Sequence, residues 1–178
     1  MHVLFICTGN ICRSPTAERL AVAYGAALQI PDFKATSAGT RAVIGHHVHH
    51  EAARVLESLG GDPSDFAARQ LTAKIASDAD LVLTMTKTHR NSVLEIAPRL
   101  LRRTYTLTEA ARLAGSRHAQ SIDELATLRP QLTASDVLDI PDPIGQFAEV
   151  FAAVGSQIAD LLPPILGLCQ RLSPSAAD

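Results

Sequence analysis

The chain opens on an unbroken apolar run, Val3-Leu4-Phe5-Ile6, with no polar position alternating against it. Such a run predicts a strand buried on both faces, the kind found inside a parallel sheet. From Pro15 the period changes: Ala17, Leu20, Ala21, Tyr24, Ala27 and Leu28 recur at helical spacing and predict an amphipathic helix ending near Leu28. Ser14-Pro15 offers a hydroxyl for its N-cap and a ring for its first turn. The two periods then alternate along the chain. Phe33 to Ser37 reads as a half-exposed edge strand, and Ala52, Val55, Leu56 and Leu59 mark a helix from near Val48 that stops at Gly60-Gly61. Asp80 to Met85 is a second buried strand, Thr88 to Ala97 a helix closed by Pro98, and Arg103 to Leu107 a fourth strand.

Strands separated by helices imply right-handed crossovers. The expected fold is therefore α/β: a four-stranded parallel sheet with helices on both faces, whose ligands bind beyond the strand C-termini. The stretch 108–135 is longer than a plain connection and reads as two short helices inserted on that ligand-binding side. After Gly145, the stripe Phe147, Val150, Phe151, Val154 and Ile158 predicts a last helix, which Pro163-Pro164 should kink or interrupt. Residues 173–178 should fray. At 178 residues, one domain spanning 1–178 is expected.

Composition narrows the class. Hydrophobic residues make up 47% of the chain, charged residues 19%, and the formal net charge is −2, which excludes disorder and a broad nucleic-acid surface. Three cysteines, two of them close together, are the wrong set for a disulfide framework and suit a reducing compartment. Met1-His2-Val3 has no basic n-region, and Leu161 to Leu168 is too short and proline-broken to span a bilayer, so a cytoplasmic protein without membrane insertion is expected. His46, His47, His49 and His50 bunch before a helix, but no Cys or carboxylate at ligand spacing accompanies them. They read as solvated, and no metal is expected.

Between the first strand and the first helix lies Cys7-Thr8-Gly9-Asn10-Ile11-Cys12-Arg13-Ser14. A loop feeding a helix N-terminus gathers unpartnered backbone N–H groups at one spot, with the positive end of the helix dipole behind them, and such a spot binds an anion. Cys7 at the loop entrance is placed where amides, dipole and guanidinium favour the nucleophilic thiolate. Arg13 returns over the same cavity with a planar fork that can hold two phosphate oxygens. Asn10 is a residue that tolerates the left-handed backbone a tight curl needs.

The loop matches Cys-x-Gly-Asn-x-Cys-Arg-Ser at every position and resembles that of the low-molecular-weight protein tyrosine phosphatases, bacterial type. Ser37-Ala38-Gly39-Thr40, Ala68-Arg69-Gln70 and Asp142-Pro143-Ile144-Gly145 extend the resemblance over most of the chain. It implies a phosphotyrosine hydrolase working through a cysteinyl-phosphate without a cofactor. Cys7 is then the nucleophile, with Thr8, Gly9, Asn10, Ile11, Cys12 and Arg13 around the phosphate. Asp142, held rigid by Pro143, is the general acid, although Asp136 and Asp139 lie close by. Asn10, Ser14 and Ser37 brace the loop. Cys12 is either a resolving thiol for oxidised Cys7 or a packed residue. The implied partner is a phosphotyrosine protein or peptide, among bacterial members a tyrosine kinase.

Two departures bear on specificity. The family often adds a bracing His where this chain has Phe66, and aromatics usually line the substrate cleft where Val43, Ile44 and Ile144 stand here. Arg41, Arg102, Arg103 and Arg117 are candidates for steering acidic flanks. The rival readings are an arsenate reductase-like oxyanion enzyme and a phosphoprotein-binding module without turnover. The first typically needs relay cysteines near Leu81 to His89, where this chain has none.

Overall fold

A computed structural model describes residues 1–115 and 119–173, the side chain of Ser135 aside. The expected sheet is present: β1 (His2–Cys7), β2 (Lys34–Gly39), β3 (Leu81–Thr84) and β4 (Thr104–Thr106) in the order β2-β1-β3-β4, all parallel. The order reverses next to β1, so the C-terminal end of β1 opens at the switch point where α/β sheets bind ligands.

Alternation along β1 divides the core. Val3, Phe5 and Cys7 face one side with Leu81, Leu83 and Tyr105, under α1 (Arg13–Ala27), α5 (Leu107–Gly115) and α7 (Ala148–Leu172). Leu4 and Ile6 face the other with Ala38 and Val82, under α3 (Ala73–Ser77) and α4 (Lys87–Ile96). Two covered faces explain why β1 carries no polar alternation. On the rim, α2 (His50–Ser58) ends at Gly60, whose φ of +87° is the left-handed geometry that stops helices.

The stretch 108–135 does hold helices, α5 and α6 (Ile122–Leu128), but not on the ligand-binding side. Apolar Leu107, Ala110, Leu113 and Ala114 draw α5 into the core. Helix α6 packs on the 3₁₀ turn Pro98–Arg103 that leads into the N-terminal end of β4, opposite Cys7. Glu109 ties this region together, accepting from Arg90 at 2.7 Å, Arg129 at 2.9 Å and the Thr106 N–H at 2.8 Å. A buried carboxylate needs such pairing.

Helix α7 is not interrupted at Pro163 and Pro164, interruption being one of the two outcomes expected there, and continues through both. Leu162, Ile165, Leu166, Leu168 and Cys169 are buried against the core, and that packing outweighs the lost backbone hydrogen bonds. By length and composition α7 is apolar enough to cross a membrane, yet here it is a core helix against α1 and α5. Arg117 and residues 174–178 lie outside the described residues.

Candidate active site

The loop after β1 is built by its outward carbonyls. Those of Cys7, Thr8, Gly9 and Ile11 accept from the amides of Thr40 (2.9 Å), Arg41 (3.0 Å), Val43 (2.9 Å) and His49 (2.6 Å) on the surrounding rim. In a planar peptide the next residue's N–H points opposite to the carbonyl, so the amides of Thr8, Gly9, Asn10 and Cys12 turn inward together. Asn10 makes the curl possible at φ 55°. Gly39 has to be glycine, because a Cβ there would lie 2.4 Å from the Thr8 carbonyl oxygen.

Inside the curl, Cys7 Sγ lies 3.0 Å from Ser14 Oγ. Asn10 is fully buried; its Nδ2 donates to Ser14 Oγ at 2.9 Å and Ser37 Oγ at 2.7 Å, and its Oδ1 accepts from the Arg69 N–H at 2.9 Å. Ser14 therefore braces the nucleophile and is not the helix cap, since α1 starts at Arg13 with Cys12 in the N-cap position and no side-chain cap bond. The Ser14 hydroxyl is engaged instead by the Asn10 amide and the Cys7 sulfur.

Arg13 is 4% exposed and holds the acid loop in place. One guanidinium nitrogen donates to the Ile140 carbonyl at 3.0 Å and another to Asp142 Oδ2 at 2.6 Å. Ile140 is in turn fixed to β3, its N–H on the Met85 carbonyl at 2.9 Å, while Asp142 Oδ1 accepts from the Ile144 N–H at 3.2 Å. The competing carboxylates are engaged elsewhere. Asp139 accepts from the Lys87 N–H at 2.8 Å, at the start of α4, and Asp136 forms a capping box with Thr133.

A cavity of about 420 Å³ brings these groups together, lined by Cys7, Thr8, Gly9, Ile11, Cys12, Arg13, Arg41, Val43, Asp142 and Ile144. Val43 and Ile144 thus stand where the substrate wall was expected. Ile44, 69% exposed, does not line it and instead projects from the rim. Arg41 belongs to the cavity, but Arg102 and Arg103 lie with Asp80 and Asp123 at the opposite end of the sheet, too far to steer a ligand into it. Of the histidines, His49 accepts from the Glu51 N–H at the α2 entry and stacks on Phe151, and His47 meets the Phe66 carbonyl at 3.1 Å.

Cys12 lines the cavity floor and also packs with Val48, Ala52, Phe66, Ala68 and Phe151. Burial, then the neighbouring Cys7, pushes its thiol up to about 12.

Three neighbours of the loop were given no role from the sequence. Glu18 accepts from Ser37 Oγ at 2.5 Å, a brace that needs nothing from Phe66. Burial raises its carboxyl above the usual range, against the Ser37 hydrogen bond and the Arg19 and Arg69 charges. Arg69 donates from its backbone to Asn10 and from Nε to the Ser37 carbonyl at 2.7 Å. His89, buried, bridges Thr8 Oγ1 at 2.8 Å and Thr86 Oγ1 at 2.9 Å, and burial, then Arg13, lowers its imidazole to about 4. Only Arg69 carried a signal, inside the Ala68-Arg69-Gln70 match. The other two lie in helices, outside every motif that the sequence offered.

Comparison with known proteins agrees with this geometry. Residues 2–120 match the family model described as low molecular weight phosphotyrosine protein phosphatase. A probable low molecular weight protein-tyrosine-phosphatase, AmsI of Erwinia amylovora, is 42% identical over 96 residues, which cover 54% of this chain and 63% of that protein, less than two thirds of its length. The structure superposes on a low molecular weight protein tyrosine phosphatase from T. tengcongensis with a TM-score of 0.76 at 32% identity, covering 94% of this chain and 98% of the other. It superposes on the YwlE arginine phosphatase of Geobacillus stearothermophilus with a TM-score of 0.73 at 28% identity, covering 93% and 90%. The chain belongs to the low molecular weight phosphotyrosine protein phosphatase family.

Proposed function

We propose that this chain is a protein-tyrosine phosphatase acting as one catalytic domain, and that it hydrolyses phosphotyrosine in proteins through a cysteinyl-phosphate. The observation that carries this reading is a single cavity holding a braced sulfur, inward amides, an arginine and a carboxylate fixed by that arginine. Cys7 attacks phosphorus in line. The loop amides and Arg13 hold the equatorial oxygens, and Asp142 protonates the departing phenolic oxygen. Water activated by Asp142 as base then hydrolyses the cysteinyl-phosphate. Every role falls to a side chain or amide of this chain, so neither metal nor organic cofactor is needed.

One structural neighbour is named as an arginine phosphatase, so phosphoarginine is the rival substrate. The cavity favours the neutral aryl ring: Ile11, Val43 and Ile144 offer apolar walls, and Asp142 is its one carboxylate among the described residues. A phosphotyrosine protein, including a bacterial tyrosine kinase, is the expected partner. The test is phosphate release from matched phosphotyrosine, phosphoarginine and phosphoserine peptides with chelator present. Release from phosphotyrosine is expected to exceed the others at least about tenfold in kcat/KM, a difference of about 1.4 kcal/mol. Faster release from phosphoarginine would reassign the substrate, and dependence on added metal would overturn the mechanism.

The same site is expected to recover from oxidation. Peroxide converts the Cys7 thiolate to a sulfenic acid, and attack by the Cys12 thiol expels water and forms a Cys7–Cys12 disulfide that a thiol reductant opens. Because the Cys12 thiol is held protonated, the trap should be slow and should protect only against brief, dilute peroxide. Under such treatment wild type should regain more activity than Cys12→Ser after reduction. Equal recovery, with no linked peptide found by mass spectrometry, makes Cys12 a packing residue.

A further inference from the structure

We propose that Glu18 is a positioning residue for the nucleophile: acting through Ser37, Asn10 and Ser14, it holds in place the hydrogen-bond network that reaches Cys7. Its use in catalysis rests on the phosphatase reading; its geometry does not. An ionised carboxylate has no proton to give, so across the 2.5 Å contact Ser37 must donate to Glu18. The Ser37 oxygen is then left as an acceptor for Asn10 Nδ2. The other Nδ2 proton goes to Ser14 Oγ, and the amide cannot flip, because flipping would set its N–H groups against the Arg69 N–H. Ser14, accepting from Asn10, keeps its own proton for Cys7 Sγ. Each bond orients the next, from a carboxylate at one end to a sulfur at the other.

Two arginines offset part of the burial that works against the charge on Glu18. Phe66, 5% exposed, walls the relay with a ring that can neither donate nor accept along this chain of bonds. Arg19 Nε lies 3.7 Å from Glu18 Oε1, and Arg69 donates to the Ser37 carbonyl from the loop opposite. These groups, with Asp65, line a cavity of about 220 Å³ that also contains Glu18 and Ser37. Without Glu18, the Ser37 hydroxyl loses its acceptor, and Asn10, although its amide is still oriented by the Arg69 N–H, is left with a Ser37 partner that nothing holds in place.

The test measures Cys7 alkylation by iodoacetamide at pH 7, with no substrate present, in folded wild type, Glu18→Ala, Glu18→Gln and Ser37→Ala. Glu18→Ala is expected to slow alkylation about three- to tenfold, the factor for one net hydrogen bond. Glu18→Gln should restore most of the rate, since its carbonyl oxygen still accepts from Ser37. The Glu18→Ala, Ser37→Ala double variant should be no slower than the slower single, as for two links of one chain. A wild-type rate in Glu18→Ala, whatever the rate of Ser37→Ala, or a Gln variant as slow as Ala, would overturn the proposal. Expected alkylation rates in a protein that releases no phosphate would overturn the phosphatase reading alone.

Discussion

Cys7→Ser is expected to abolish turnover while leaving the phosphate site intact. The sulfur at position 7 is 2% exposed, sits at the bottom of the cavity and receives a hydrogen bond from Ser14. A serine hydroxyl in its place stays protonated at neutral pH and is a far weaker nucleophile. The inward amides and Arg13 are untouched by the change, because the loop carbonyls stay bonded to Thr40, Arg41, Val43 and His49. Phosphate release should therefore fall by at least about 10⁴-fold, and residual activity should be insensitive to further loop substitutions. Vanadate or phosphate should still raise the melting temperature of the variant, as any ligand of the folded state does. Retained turnover would remove Cys7 from the mechanism, and loss of anion stabilisation would show that the loop had collapsed.

The second large effect belongs to Asp142. Asp142→Asn keeps an oxygen to accept from Arg13, which at 4% exposure should not be left without a partner, and removes only the transferable proton. General acid catalysis contributes typically 10²–10⁴-fold, and the loss should track the leaving group. Phosphotyrosine, whose phenoxide leaves poorly, should show most of it, and p-nitrophenyl phosphate, whose anion leaves readily, little. Asp139→Asn should change neither rate beyond a few fold, because that carboxylate serves the α4 entry. A leaving-group dependence appearing in the Asp139 variant would reassign the acid.

Continuous apolar runs were enough to place β1 and β3, because burial on two faces forces them, while β2 at the sheet edge showed only as a half-exposed segment and β4 as a short stretch after the helix that Pro98 closes. The catalytic loop was legible for a similar reason: its chemistry is concentrated in eight consecutive residues, Cys7 to Ser14. What escaped was long-range. Glu18 is one turn beyond the loop but acts on Ser37 of another strand, and His89 meets Thr8 across 81 positions. No local pattern records such a meeting. The continuity of α7 was left open because proline rules weigh backbone bonds and cannot see the apolar partners waiting for Ile165 and Leu168. The placement of α6 depended on Arg129 reaching the Thr104 carbonyl and stacking over Tyr105 at 4.6 Å, contacts that follow from the fold.

The 2.6 Å pair between Arg13 and Asp142 makes the acid an internal competitor for the anion site. Arg13 is buried while Asp142 is half exposed, so loss of the pair before a replacement arrives leaves a buried guanidinium without its charged partner. Entry of a phosphoryl group and departure of the carboxylate must then proceed as an exchange, with an incoming oxygen taking the guanidinium as the carboxylate lets go. On the proposed mechanism the same trade runs backward once phosphate is released, with the returning carboxylate competing with the product for the guanidinium.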